Sequence, residues 1–434
     1  MSRSSLPSGR RPMRAALALT IATALALSPA PAVAREAPAP AAGAVHWADL
    51  AQREVVIAGA RVPVPAALAG VAAAAAVLGG LTVVLLQAVA DALPGHSSTS
   101  SSLLAGSSGA EKPQTAPGEH ITSFNFSAVN GDAAIGGLSG IDEVAPGRYI
   151  VLSDDKGEHG PIRAYYFTTE DHKTFTPAGE VRFTDPQGNA YTEFMDPEEI
   201  RVLPSGNFLW TTEGNAKAGQ VAAPQIIEST PEGKEVRRID VPAYHAPDGA
   251  STRGIHHNNG PEGMALLADG NTAVTVNEDA LAQDGVRNSE KNASMNRLTF
   301  YDLATGKPTR EYVVRVEAGR GATSLLADEN GDLYLLERGF FPELGDNGEN
   351  KAEIYKLDLA GAGNVLGVEK LDGTEKPAAK SLVFDFAAVR PHPDNVEGLA
   401  WGPRADDGRR TLVVVSDDNF NDTQTTYFHT LLVP

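Results

Sequence analysis

Glu198, Glu262 and Glu397 each open a short apolar strand, and a strand later Glu213, Glu278 and Asp417 close the next one. Ser139 with Asp154 and Ser324 with Glu337 repeat the arrangement with a serine in the opening place, so eight of these ten positions are acidic. In an antiparallel hairpin the first residue of one strand lies beside the last residue of the next. Each pair should therefore meet at the open end of its hairpin. A ring of like charges at close range is unfavourable unless cations, basic side chains or raised pKa values compensate.

Two compensations are legible. The first is a hard cation, because carboxylates with asparagine and backbone oxygens suit calcium better than zinc or copper. Asp155, Glu198, Glu262, Glu397, Asp417, Asp418 and Asn419 are the candidate ligands, and Ca2+ is the expected ion. The second is a basic set in the adjoining loops: Lys156, Arg163, Arg253, His256, His257 and Arg338. These would hold an anionic substrate beside the ion. A network of structural ion pairs joining neighbouring units uses the same residues, and spacing alone does not separate the two readings.

The chemistry that such a set can perform is metal-assisted hydrolysis of an ester. A cation polarises the ester oxygen and acidifies water, while a carboxylate, Asp154 or Glu262, takes the proton. His159 stands with them as a catalytic candidate. Phosphate esters are the expected substrates. Lactones or carboxyl esters on the same centre, and a non-enzymatic binding role around a structural calcium site, are the alternatives. Other classes find no support. Cysteine is absent, which removes thiolate nucleophiles and ligands. Neither a G-x-S-x-G elbow nor a phosphate-cradling glycine loop occurs. His256 and His257 are adjacent, not spaced i, i+4 as on the helix of a zinc protease. The acidic run Asp328 to Asp332 departs from a calcium loop at Leu333 and Gly339 and reads as a hairpin turn.

These residues must be positioned by the strands that carry them. The opening residues Ser139, Glu198, Glu262, Ser324 and Glu397 are separated by 59, 64, 62 and 73 residues. Each of the first four intervals contains four short β-rich runs bounded by turn residues, such as L-S-G-I-D-E-V, R-Y-I-V-L-S, I-R-A-Y-Y-F-T and A-G-E-V-R-F-T in the first. Four strands per repeat is a propeller blade. The fifth unit has three strands before Pro434, and H-I-T-S-F-N-F-S, residues 120–127, supplies the missing fourth. Closing the ring with both ends of the chain in one blade removes the open edges. The expected fold is all-β, a propeller of five four-stranded blades over residues 118–434, with six blades the alternative if one is hidden in the long fourth unit.

The remainder of the chain reads differently. Residues 1–34 have arginines at the start, an apolar run from Ala15 to Leu27 and Ala32-Val33-Ala34 as a cleavage site, the pattern of a secretory signal. Residues 35–117 form a low-complexity linker, within which 62–90 carries no charge and fits either a membrane span or a second signal-like segment. A periplasmic or extracellular domain is expected, membrane-attached if 62–90 is a span. The net charge of −19 argues against a nucleic-acid partner and is compatible with bound cations. A monomer acting on a small anionic or ester substrate is expected.

The strings G-G-L-S-G-I-D, S-D-D-K-G-E-H-G-P-I-R, D-P-E-E-I, R-G-I-H-H-N-N-G-P-E-G-M-A, L-L-E-R-G, N-V-E-G-L-A-W and V-S-D-D-N-F, in that order, resemble the bacterial phytase-like propeller family. The resemblance runs from about Gly118 to Pro434. It implies a secreted or periplasmic propeller with esterase-like, calcium-dependent activity. It also marks Ser153, Asp154, Asp155, Glu158, His159, Arg163, Glu198, Arg253, Glu262, Glu337, Arg338, Glu397, Asp417, Asp418 and Asn419 as motif positions. His256, His257 and Pro261 stand where the family more often shows R-G-I-R-N-N-R-G-F-E-G, which thins the basic residues in that loop.

Overall fold

The computed structural model describes residues 54–57, 60–63, 118–130, 135–344, 348–390 and 392–434. The chain divides into two compact units, Met1–Lys112 and Pro113–Pro434. In the first unit the described residues form one antiparallel hairpin, β1 (Glu54–Ile57) and β2 (Ala60–Pro63), with Glu54 opposite Pro63. The signal segment 1–34 and all but the first two residues of the apolar run 62–90 lie outside the described residues. No helix among the described residues is long and apolar enough to cross a membrane.

The second unit is a ring of five four-stranded antiparallel blades. Strand β3 (Glu119–Asn125) comes first in the chain and is used last. Blade 1 is β4 (Leu138–Ala145), β5 (Arg148–Ser153), β6 (Arg163–Thr168) and β7 (Thr176–Arg182). Blade 2 is β8 (Pro197–Val202), β9 (Phe208–Thr212), β10 (Gln225–Ser229) and β11 (Glu235–Ile239). Blade 3 is β12 (Pro261–Leu266), β13 (Thr272–Asn277), β14 (Ser294–Asp302) and β15 (Lys307–Val316). Blade 4 is β16 (Gly321–Ala327), β17 (Leu333–Phe341), β18 (Glu349–Asp358) and β19 (Ala379–Asp385). In blade 5, β20 (Asn395–Arg404), β21 (Arg410–Asp417) and β22 (Tyr427–Val433) are completed by β3. Of the two blade counts the sequence allows, five is the one observed.

Strands in the middle of a blade are covered on both faces, so they read as unbroken apolar runs such as V-V-V in β21, not as alternating ones. Each junction between blades has its own core. Ile150, Leu152, Ile200, Trp210 and Ile227 fill the one between blades 1 and 2, and Leu336, Ile354, Leu399, Leu412 and Val414 the one between blades 4 and 5. The closure is apolar too: Phe428 of β22 stacks on Phe175 of blade 1 with ring centroids 4.4 Å apart. Alongside, β22 pairs with β3 so that Phe428 lies opposite Phe124 and His429 opposite Ser123.

The first strands of successive blades touch in a closed circuit, β4 to β8 to β12 to β16 to β20 and back to β4. They come so near that a side chain is excluded at some positions. A Cβ on Gly263 would lie 2.7 Å from the Leu325 backbone nitrogen, and one on Gly398 would lie 2.2 Å from the Ser139 carbonyl oxygen. This explains why glycine follows Glu262 and Glu397: the acid faces the mouth and its neighbour must vanish to let the strands meet. Blade 2 carries Glu199 in that place, and its carboxylate accepts from Arg201 (3.1 Å) and from the Ser324 hydroxyl (2.6 Å) in a buried layer beneath.

Candidate metal centre

Every first hairpin breaks its register at the same point. In blade 3 Pro261 pairs with Asn277 and Gly263 with Val276, leaving Glu262 as the bulged residue. Blade 5 treats Glu397 in the same way, between Val396 and Gly398. The irregularity takes in Ser139 in blade 1, Glu198 in blade 2 and Thr323 in blade 4. A bulge re-aims a side chain out of the alternation of the sheet. Here it turns the opening residue of each blade toward one end of the channel. On the second strand, the residue that follows the partner of the last pair before each bulge is Asp154, Glu213, Glu278, Arg338 or Asp417, and these complete the ring.

The convergence is tight. Carboxylate oxygens of Glu198, Glu262 and Glu397 lie within 4.8 Å of one another, as do those of Asp196, Glu198 and Glu213 and those of Glu213, Glu262 and Glu278. Ser139 Oγ stands 3.5 Å from both Glu198 Oε2 and Glu397 Oε2. Glu397 Oε1 accepts from Arg338 Nη2 (2.5 Å) and Asn395 Nδ2 (2.6 Å). Asp196 Oδ1, Glu213 Oε2, Glu262 Oε2 and Asp417 Oδ2 are buried with no hydrogen-bond partner among the described residues. Above them opens a cavity of about 270 Å³, lined by Asp154, Lys156, Glu198, Asn258, Glu262, Glu278, Arg338, Asn395, Glu397 and Asn419.

The electrostatics follow from burial and crowding. Burial, joined by the charges of Glu198 and Glu213, holds Glu262 well above the usual carboxylate range. Burial with Asp196 and Glu213 does the same to Glu198, and burial with Asp154 and Glu397 does so to Asp417. Asp154 is pushed up to about 7 by burial and the charges of Glu397 and Asp196. Burial works against the charge on Arg338, but Glu397, Glu278 and Glu262 outweigh it and keep the guanidinium ionised. Orphaned oxygens, and burial that favours protons on the converging carboxylates, make a donor set that fits a divalent cation. The donors are all oxygen, which suits a hard ion.

The phytase-like family profile, described as esterase-like activity of phytase, matches residues 133–420. The chain belongs to the phytase-like family. No curated protein sequence matches it. Among solved structures it is similar to an endo-arabinase from Bacteroides thetaiotaomicron VPI-5482, at 14% identity and a TM-score of 0.40 over 69% of this chain and 94% of that one. It is also similar to the xylan β-1,4-xylosidase of Bacillus halodurans C-125, at 11% identity and a TM-score of 0.39 over 70% of this chain and 54% of that one. Hydrazine synthase of Kuenenia stuttgartiensis matches at 14% identity and a TM-score of 0.34 over 65% of this chain and 78% of that one.

In this phytase-like propeller Glu198, Glu262, Glu397, Asp154, Lys156, Arg338 and Asn419 line the cavity, and Asp417 joins the ring beside them. Other candidates are elsewhere. Asp155 and Arg163, expected to bind the ion and the substrate, are buried and bind each other (2.6 Å). The Asp155 carboxylate also caps the backbone N–H groups of Gly157, Glu158 and His159, so its role is to shape that loop. Asp418 accepts from the N–H groups of Gly137 and Phe420. His159 is exposed at the rim, stacked on Phe420 with ring centroids 4.1 Å apart. Arg253 and His257 are exposed and His256 half-buried, and none of the three lines the cavity.

Blade 4 needs a correction of one residue. Ser324 and Glu337 were the expected pair, but the bulge falls on Thr323, and the ring position on the second strand is Arg338. Glu337 instead accepts from Lys380 (2.5 Å) and from the Glu317 N–H (3.0 Å). The ring is therefore acidic on four blades, with an arginine on the fourth. The sequence reading also missed Asp196 as a member of the cluster. Its signal was the D-P-E-E string, in which the aspartate precedes a proline that starts β8 and so lies at the strand mouth.

Proposed function

We propose that this phytase-like chain is an exported, calcium-dependent hydrolase of phosphate esters. The observation that carries the reading is the meeting of Glu198, Glu262 and Glu397 within 4.8 Å, with Glu262 Oε2 buried and unpartnered. Those three residues would hold the ion. When bound, a divalent cation supplies Lewis acidity toward an ester oxygen and acidifies nearby water. Arg338 offers its guanidinium to the oxygens of the substrate, and Lys156 adds an ammonium at the cavity mouth. Asp154, its carboxyl standing at about 7, accepts a proton from water near neutral pH. Export to the periplasm or the exterior is supported by the basic, apolar and small-residue pattern of residues 1–34.

One observation favours a second reading. Arg163 is held by Asp155 and Arg253 lies off the cavity, so Lys156 and Arg338 are the cationic side chains lining it. That lining also accommodates a neutral lactone or carboxyl ester. The experiment is a panel of p-nitrophenyl phosphate, phytate, p-nitrophenyl acetate and simple lactones, assayed with calcium and with chelator. Chelator-sensitive turnover of the phosphates supports the proposal. Turnover of the acetate or lactones alone transfers it to the second reading. Inactivity across the panel, with calcium bound, leaves a binding propeller.

A further inference from the structure

Lys156 rises from the loop after β5, crosses the mouth of the channel and places Nζ 2.9 Å from Asp196 Oδ2, while donating to Asn258 Oδ1. Asp196, Glu198 and Glu213 have carboxylate oxygens within 4.8 Å of one another. The ammonium leaves much of this triad unsatisfied: Asp196 Oδ1 and Glu213 Oε2 are buried and accept no hydrogen bond among the described residues. Asp196 is 1% exposed and Glu213 0%, so both lie away from bulk solvent. The Lys156 side chain, by contrast, keeps 32% of its surface in solvent and has room to leave.

From this geometry we propose that Lys156 is a tethered counter-ion that competes with a divalent cation for the Asp196–Glu198–Glu213 triad, so that cation binding releases its ammonium into the cavity mouth. The inference rests on the metal-centre reading above and adds a coupling to it. A calcium ion takes six to eight oxygens and can use the orphaned ones that a single ammonium cannot reach. It cannot share Asp196 Oδ2 with Lys156 at bonding distance, because the two positive charges would be in contact. The displaced ammonium, on a flexible stem of four carbons, becomes free to meet an anionic group entering the cavity. Linkage then requires the converse: an anion that holds Lys156 in the mouth tightens the cation.

The test is calcium titration calorimetry on the full chain, comparing the native protein with Lys156→Met, Lys156→Arg and Lys217→Met, the last removing an exposed charge nearby without touching the triad. Lys156→Met should bind calcium on the order of tenfold more tightly or take up an additional ion. Lys156→Arg should stay close to native, and Lys217→Met should change little. Equal or weaker binding by Lys156→Met overturns the competition while leaving the metal centre standing if the native protein binds calcium; absence of binding in all four proteins overturns both. A second readout is the rate at which an amine-acylating reagent modifies Lys156, followed by mass spectrometry. Calcium should raise that rate and leave the rate at Lys217 unchanged; a rate at Lys156 that is unaffected or slowed contradicts the release.

Discussion

Glu198 and Glu397, on blades that flank blade 1 from either side, bring their carboxylates within 4.8 Å of each other across the Ser139 hydroxyl, which stands 3.5 Å from each. Two acids so placed repel unless a proton or a cation lies between them. The remaining members of the ring raise the same problem, and one arginine does not balance them.

The metal-free protein should lose stability as pH rises. Asp154 has a folded pKa of about 7 against an ordinary 3.8. Its contribution is therefore complete below the unfolded value and is lost as pH climbs through 7. Glu198, Glu213, Glu262 and Asp417 shift in the same direction. The melting temperature in chelator should fall between about pH 4 and pH 7, at about 2–4 °C per kcal/mol lost. Calcium should flatten that slope. Scanning calorimetry at several pH values, with and without calcium, checks both parts; a flat profile in chelator contradicts the crowding.

Acid should weaken the ring closure by a separate route. His429 on β22 is buried, its Nε2 facing the Pro393 carbonyl (3.0 Å) and its Nδ1 the Ser123 hydroxyl of β3 (2.7 Å). Burial lowers its pKa to about 4 from 6.5. A depressed histidine contributes fully above its unfolded value and loses that contribution as pH falls from 6.5 toward 4, worth about 3 kcal/mol at about 1.4 kcal/mol per unit. The stability difference between the native protein and His429→Gln should therefore shrink as pH drops across that window. Denaturant titrations at pH 4, 5 and 7 measure it, and a constant difference refutes the assignment.

Gly398→Ala should disturb the ion site without removing a ligand. Its Cβ would stand 2.2 Å from the Ser139 carbonyl oxygen, so two inner strands must part. The cost should be about 1–3 kcal/mol, the range for overpacking. Because Glu397 is the preceding residue, calcium affinity should fall as well. Alanine at Gly408, an exposed turn glycine with nothing within 4 Å of its Cβ position, is the contrast: it should lose stability through its positive φ alone and keep its affinity. Equal calcium affinities in the two variants would contradict the role given to Gly398.

Much of this was legible in the sequence because it is written in period and composition. Strand runs such as R-Y-I-V-L-S fall where β5 is found, and the otherwise unpartnered segment after His120 does complete blade 5. The ring residues Glu198, Glu262 and Glu397 could be found because they recur at strand entrances. What escaped depended on backbone irregularity and on partners from other loops. In blade 4 a serine beside the bulge imitates Ser139, so the sequence pattern points one residue past Thr323 on the first strand and one residue short of Arg338 on the second. Asp155 and Arg163 carry the residue types of a ligand and an anion holder. Only the fold brings them together as an ion pair, with Asp155 also capping three backbone N–H groups.

The most direct measurement is a crystal of the protein soaked in calcium, with the ion located by anomalous scattering. A peak should appear between the carboxylates of Glu198, Glu262 and Glu397, at the oxygen distances of about 2.3–2.6 Å that calcium adopts, and should be lost in Glu262→Gln. A clear map with no ion among these three residues, or with calcium confined to the outer surface, would contradict it.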